Sequence, residues 1–67
     1  MSTAQNKQIL NYLQAGYTIT PLDALRMFGC MRLGARVHEL RKAGHDIRRE
    51  IITAEPSGAR IAEYFLP

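Results

Sequence analysis

The 67-residue chain has one cysteine, Cys30, which excludes an internal disulfide framework and any zinc site built from several cysteines. A reducing compartment is the expected setting. No stretch approaches the roughly 20 apolar residues that a membrane span needs, and MSTAQNKQIL lacks the charged-then-apolar pattern of a signal peptide. A cytoplasmic protein with no membrane partner is expected. Catalytic groupings are also missing: no Ser/His/Asp or Cys/His set at useful spacing, no paired carboxylates, no phosphate-cradling glycine loop. These absences argue against an enzyme. His38 and His45 have no cysteine or acidic cluster of ligand spacing beside them, so neither a metal nor another cofactor is expected. Without repeats, linkers or low-complexity segments, residues 1–67 read as one small domain. Its core is modest, so a second copy or a ligand would add noticeably to its stability.

What the chain does have is an uneven charge distribution. Residues 30–49 hold Arg32, Arg36, Arg41, Lys42, Arg48 and Arg49 against only Glu39 and Asp46, whereas the remainder is slightly acidic. Positive charge concentrated in one segment suits a polyanion, and a solvated basic face is the plainer alternative.

Much of that charge lies in or just after Thr20–Gly44, TPLDALRMFGCMRLGARVHELRKAG, whose pattern is that of two short helices joined by a tight turn. Thr20 can cap the first of them, Pro21 loses no needed donor at its first position, and Asp23 completes a weaker form of the capping box. Leu22, Leu25 and Phe28 are expected to form its buried stripe and Gly29 to stop it. The second helix, about residues 31–43, places Leu33, Val37, Leu40 and the terminal Gly44 on one side when advanced 100° per residue. Met31, Ala35, His38 and Lys42 fall opposite, with Arg32 and Glu39 beside them and Arg36 and Arg41 flanking the core stripe. Gly34 and Ala35 leave room for close approach.

Upstream, Ser2 or Thr3 can cap a helix running to about Ala15, with Ile9, Tyr12 and Leu13 as its apolar stripe and Leu10 at the edge. Gly16 ends it, and Tyr17–Thr20 reads as a short extended connector. Downstream, Asp46–Thr53 and Arg60–Leu66 are rich in isoleucine and aromatics and read as strands, joined by a turn carrying Pro56, Ser57 and Gly58. A hairpin directly after such a helix is a wing. If Ile47, Ile51, Ala62 and Tyr64 point inward, alternation sends Ile52, Ile61 and Phe65 outward, where they would offer a dimer interface. A bulge that brings some of them inside is the alternative. The predicted chain is α+β, mostly α: helix, short strand, helix, helix, strand, strand.

The run TPLDALRMFGCMRLGARVHELRKAGHDI, together with the Ala62-Glu63-Tyr64 ending, resembles the small winged helix-turn-helix domains found largely in phage and prophage genomes. The resemblance spans nearly the whole chain. It implies a three-helix winged helix-turn-helix fold with a C-terminal hairpin wing, and DNA binding, without identifying a target.

On the pattern of the second helix, Arg32 is the first candidate for a bidentate contact to guanine, or alternatively a phosphate anchor. Met31 and Ala35 are candidates for contact with thymine methyl groups, and His38 shares their face. Arg36, Arg41 and Lys42 suit phosphates, although Arg41 could instead pair with an acid of the same domain. Arg48 and Arg49 lie on opposite strand faces, and Arg60 stands beside the turn where it could enter a minor groove. The turn also carries Glu55, which argues against deep insertion. Cys30 reads as a small residue packed at the inter-helix turn.

These features lead to the expectation of sequence-specific binding to double-stranded DNA by a homodimeric transcriptional regulator or DNA-architectural factor of a mobile element. The alternative is a protein-interaction module that meets an acidic surface of a host protein, which Glu39 and the acidic turn favour.

Overall fold

In a computed structural model, which describes residues 3–67, three helices precede an antiparallel hairpin. They are α1 (Thr3–Gln14), α2 (Pro21–Phe28), α3 (Leu33–Lys42), β1 (Arg48–Ala54) and β2 (Ala59–Phe65). The expected element order and the two-stranded wing are found. The proposed cap at Ser2, like the side chain of Thr3, lies outside the described residues.

α1 buries Ile9 and Leu13, one turn apart, with Leu10 and Tyr12 packed at the margin of the core. Each such aliphatic side chain, fully removed from water, contributes roughly 1.5–3 kcal/mol. The Gln5 amide donates to the Phe28 carbonyl at 3.2 Å, tying α1 to the end of α2. The connector after α1 is extended at Ile19, which exchanges backbone hydrogen bonds with Tyr64 of β2, N–H to carbonyl at 2.9 and 2.8 Å. β2 therefore lies between Ile19 and β1, and β1 is the outer edge of the sheet.

The start of α2 follows its sequence signal. The Asp23 N–H donates to the Thr20 hydroxyl at 3.2 Å and the Thr20 N–H donates to the Asp23 carboxylate at 3.1 Å, a complete capping box. Gly29 ends the helix in the left-handed region, φ 64°. Its buried face differs from the expectation. Ala24 is fully buried and Phe28 half-buried, whereas Leu22 and Leu25 are 52% and 47% exposed. The small side chain of Ala24 lets α2 approach the core closely, and Phe28, one turn on, shares its face. Leu22 and Leu25 are then rotated away.

α3 buries Leu33, Val37 and Leu40 as expected. It is shorter than the predicted 31–43, because Arg32 is its N-cap and Ala43 its C-cap. Past the end, the Gly44 N–H donates to the Arg41 carbonyl and the His45 N–H to the Leu40 carbonyl, at 3.0 and 3.1 Å. This reversal needs Gly44 at φ 105° and turns the chain into the hairpin.

The hairpin register pairs Arg49 with Tyr64, Ile51 with Ala62 and Ile52 with Ile61, without a bulge. Tyr64 joins the core and Ala62 packs against it, so their face carries the helical body. Ile51 shares that face but does not point into the core as expected: it is 52% exposed, because it stands on the edge strand, beyond the reach of the helices. Ile52, Ile61 and Phe65 share the opposite face, and each is partly buried.

Candidate nucleic-acid interface

The turn between α2 and α3 is built on Cys30, a buried residue whose N–H donates to the Ala24 carbonyl at 3.1 Å. Burying Cys30 and then Leu33 forces the two residues between them outward. Met31 is 86% exposed, and Arg32 is exposed at the N-cap with no side-chain capping bond. Both therefore belong to the turn, not to the first turn of the helix as the sequence suggested. They project ahead of the N-terminus of α3, where Gly34 is exposed and Ala35 half-buried. Further along the helix, His38 and Lys42 are exposed.

Seven cations were candidates for this surface, and their partners divide them. Arg36 is held on the α1 side of the helix, its side chain 18% exposed and its Nε 3.4 Å from the Glu39 carboxylate in an ion pair too poorly aligned for a hydrogen bond. The same Glu39 oxygen accepts from the Asn6 amide at 3.0 Å, so this acid ties α3 to α1. Arg48 donates to the Asp46 carboxylate from Nε and a terminal nitrogen, at 3.3 and 3.1 Å. Among the described residues Arg41 pairs with no acid. Its Nε donates at 2.8 Å to the carbonyl of Ile47, a buried residue, and fastens the end of α3 to the root of the hairpin. The remaining four, Arg32, Lys42, Arg49 and Arg60, are exposed, and their side chains make no hydrogen bond or ion pair among the described residues.

The two faces of the hairpin differ in charge. Arg49 and Arg60 lie on the face that carries the helical body, with Thr53 paired to Arg60. Arg48 lies on the other face, where Glu50 stands directly opposite Glu63, an unfavourable pairing of like charges. Glu63 accepts from the Thr18 hydroxyl at 2.9 Å. The structure thus groups Arg49 with Arg60 and separates Arg48 from both. It also adds Thr53, an exposed hydroxyl directly opposite Arg60, whose odd-numbered parity with Arg49 is the sequence signal that places it on this face. The bond from Arg41 to a backbone carbonyl has no sequence signature at all.

Among the described residues, no helix is long and apolar enough to cross a membrane, and no three metal-ligating side chains come together. The model of one protein family, described as a winged helix-turn-helix domain, matches residues 4–67. No curated protein and no solved structure matches the chain.

Proposed function

The chain belongs to the winged helix-turn-helix domain family, whose fold suggests DNA binding in general, and from that premise we propose sequence-specific binding to double-stranded DNA. The biological role proposed is that of a small phage or prophage transcriptional regulator or DNA-architectural factor. The observation that carries this reading is the set of five cations with no acidic partner among the described residues, Arg32, Arg41, Lys42, Arg49 and Arg60, spread over α3, its leading turn and one face of the wing. In this arrangement α3 enters the major groove. Arg32 reaches a base edge from ahead of the helix, with Met31, Ala35 and His38 beside it. Arg41 and Lys42 meet phosphates, while Arg49 and Arg60 follow the backbone or the adjacent minor groove. Arg36 and Arg48, each neutralised by a carboxylate, contribute less.

A monomer of this kind buries only about 600–1,000 Å² on DNA, so useful specificity favours a homodimer on two half-sites. The partly exposed Ile52, Ile61 and Phe65 flank such a contact. The test is selection from random duplexes followed by anisotropy titration of the enriched sequence. A recovered motif bound tightly at moderate salt supports the reading, and no binding even at low salt overturns it.

One observation favours a second reading, a module that binds a host protein. Leu22 and Leu25, three residues apart, share an outward face of α2. Retention of a defined host protein that Leu25→Lys abolishes, with DNA binding absent, would establish that alternative.

A further inference from the structure

β1 has an open edge whose hydrogen-bonding pattern can be read from the other side of the sheet. Tyr64 uses both its N–H and its C=O on Ile19, so it has neither left for Arg49, its register partner. Arg49 and Tyr64 are therefore a non-hydrogen-bonded pair, and by alternation so are Ile51 with Ala62 and Thr53 with Arg60. The backbone groups of Arg49, Ile51 and Thr53 point away from β2, and among the described residues nothing bonds to them. At the centre of that edge stands Ile51, the large apolar side chain of the hairpin that is more than half exposed.

We infer that β1 binds a second copy of the chain, antiparallel edge to edge, with Ile51 facing Ile51 of the partner subunit on a two-fold axis. Dimeric DNA binding is the purpose such pairing serves, and to that extent it rests on the reading above. The symmetry selects the register. An axis perpendicular to the sheet pairs residues of the same face, and centring it on Ile51 sets Arg49 opposite Thr53 of the partner subunit. Every outward-facing residue of β1 then exchanges both its backbone hydrogen bonds. Centred on Glu50, the axis sets Glu50 against Glu50 of the partner subunit and leaves Thr53 beyond the strand. Centred on Ile52, it leaves Arg49 facing the turn.

The side chains agree with the backbone. β1 carries its charges in its first half, Arg48, Arg49 and Glu50, and its neutral residues in its second, Ile51 to Ala54. Antiparallel pairing about Ile51 lays each charged half against a neutral half, so no like charges face each other across the new seam. The two Ile51 side chains cover one another. Tyr64 and Ala62 mark the face that carries the helical body, so the axis keeps both bodies, with Arg49 and Arg60 of each copy, on one face of the joined sheet. Ile52, Ile61 and Phe65 of both copies line the other.

The test uses the full chain without DNA, so that failure of pairing and failure of DNA binding are separate results. Sedimentation over a wide concentration range is expected to show wild type at twice the chain mass of 7.6 kDa. Ile51→Pro is expected to run at the single mass with an unchanged far-UV spectrum, because it removes an outward N–H that β2 does not use. Should the proline variant lose its fold, Ile51→Lys, which sets two like charges on the axis, decides by the same criterion. Cα atoms of a hydrogen-bonded antiparallel pair stand about 5.5 Å apart, within disulfide reach. Ile51→Cys should therefore crosslink to a dimer under mild oxidation, while Ile61→Cys should not. Cys30 is buried, and wild type serves as the unlinked control. A wild type that is monomeric at every concentration overturns the inference, whether or not it binds DNA. So do an Ile51→Lys variant that remains dimeric and crosslinking through Ile61→Cys but not through Ile51→Cys.

Discussion

The salt dependence of DNA binding tests how many of the basic residues act as free charges. Each neutralised phosphate of B-DNA contributes about −0.9 to the slope of log K against log salt concentration. If all seven candidate cations, Arg36 and Arg48 included, release counterions, the slope per bound protomer is roughly −6. The structure lowers that number. Glu39 stands beside Arg36 and Asp46 beside Arg48, and even if DNA broke either ion pair the carboxylate would stay next to the phosphate and cancel the gain. Arg41 keeps its full charge, since its Nε donates to a neutral carbonyl. Five effective cations give a slope of about −4.5, so affinity should fall roughly 500-fold between 50 and 200 mM salt, against roughly 6,000-fold for seven. The assay is anisotropy titration of a labelled duplex at several salt concentrations, with stoichiometry fixed by saturation so that the slope is expressed per protomer. Lys42→Ala should lower the slope by about one unit and Arg48→Ala by much less. A slope near −6, or equal effects of Lys42→Ala and Arg48→Ala, would falsify this division of the cations.

Arg32→Ala should relax preference at one or two base pairs and cost about 1–3 kcal/mol on the preferred site, as the loss of a bidentate base contact requires. Selection with the variant checks it, and a uniform loss with unchanged preference would make Arg32 a phosphate anchor. Arg41→Ala should lower folding stability by about 1–2 kcal/mol, since it removes the donor to the carbonyl of buried Ile47. Urea unfolding reads this as a lower midpoint at unchanged m, and an unaltered midpoint would show that the bond holds nothing. Thr20→Ala breaks the capping box of α2 and should cost about 1 kcal/mol by the same measurement, with Thr20→Ser close to wild type.

Local signals in this sequence were reliable wherever one residue type has one physical use. Thr20, Pro21 and Asp23 could start a helix and did; Gly29 could end one in the left-handed region and did; Pro56 to Gly58 could only turn. The period of Leu33, Val37 and Leu40 likewise located the buried side of α3, and alternation put Ile52, Ile61 and Phe65 on one face of the hairpin. Packing distance decided the rest. On α2, hydrophobicity favoured Leu22 and Leu25, but the face that meets the core carries Ala24 and Phe28, and the leucines turn to solvent. On β1, parity gave Ile51 the correct face, yet only tertiary structure revealed that its strand is the outer one, because a single bridge from Ile19 to Tyr64 occupies the far edge of β2 and makes β2 the inner strand. The partners of the cations divide between the two. Glu39 follows Arg36 by three residues on one helix and Asp46 lies two before Arg48, so both ion pairs are local, whereas the bond from Arg41 to the carbonyl of Ile47 depends on how the end of α3 turns into the hairpin. A backbone carbonyl is present at every position and so leaves no mark in the sequence.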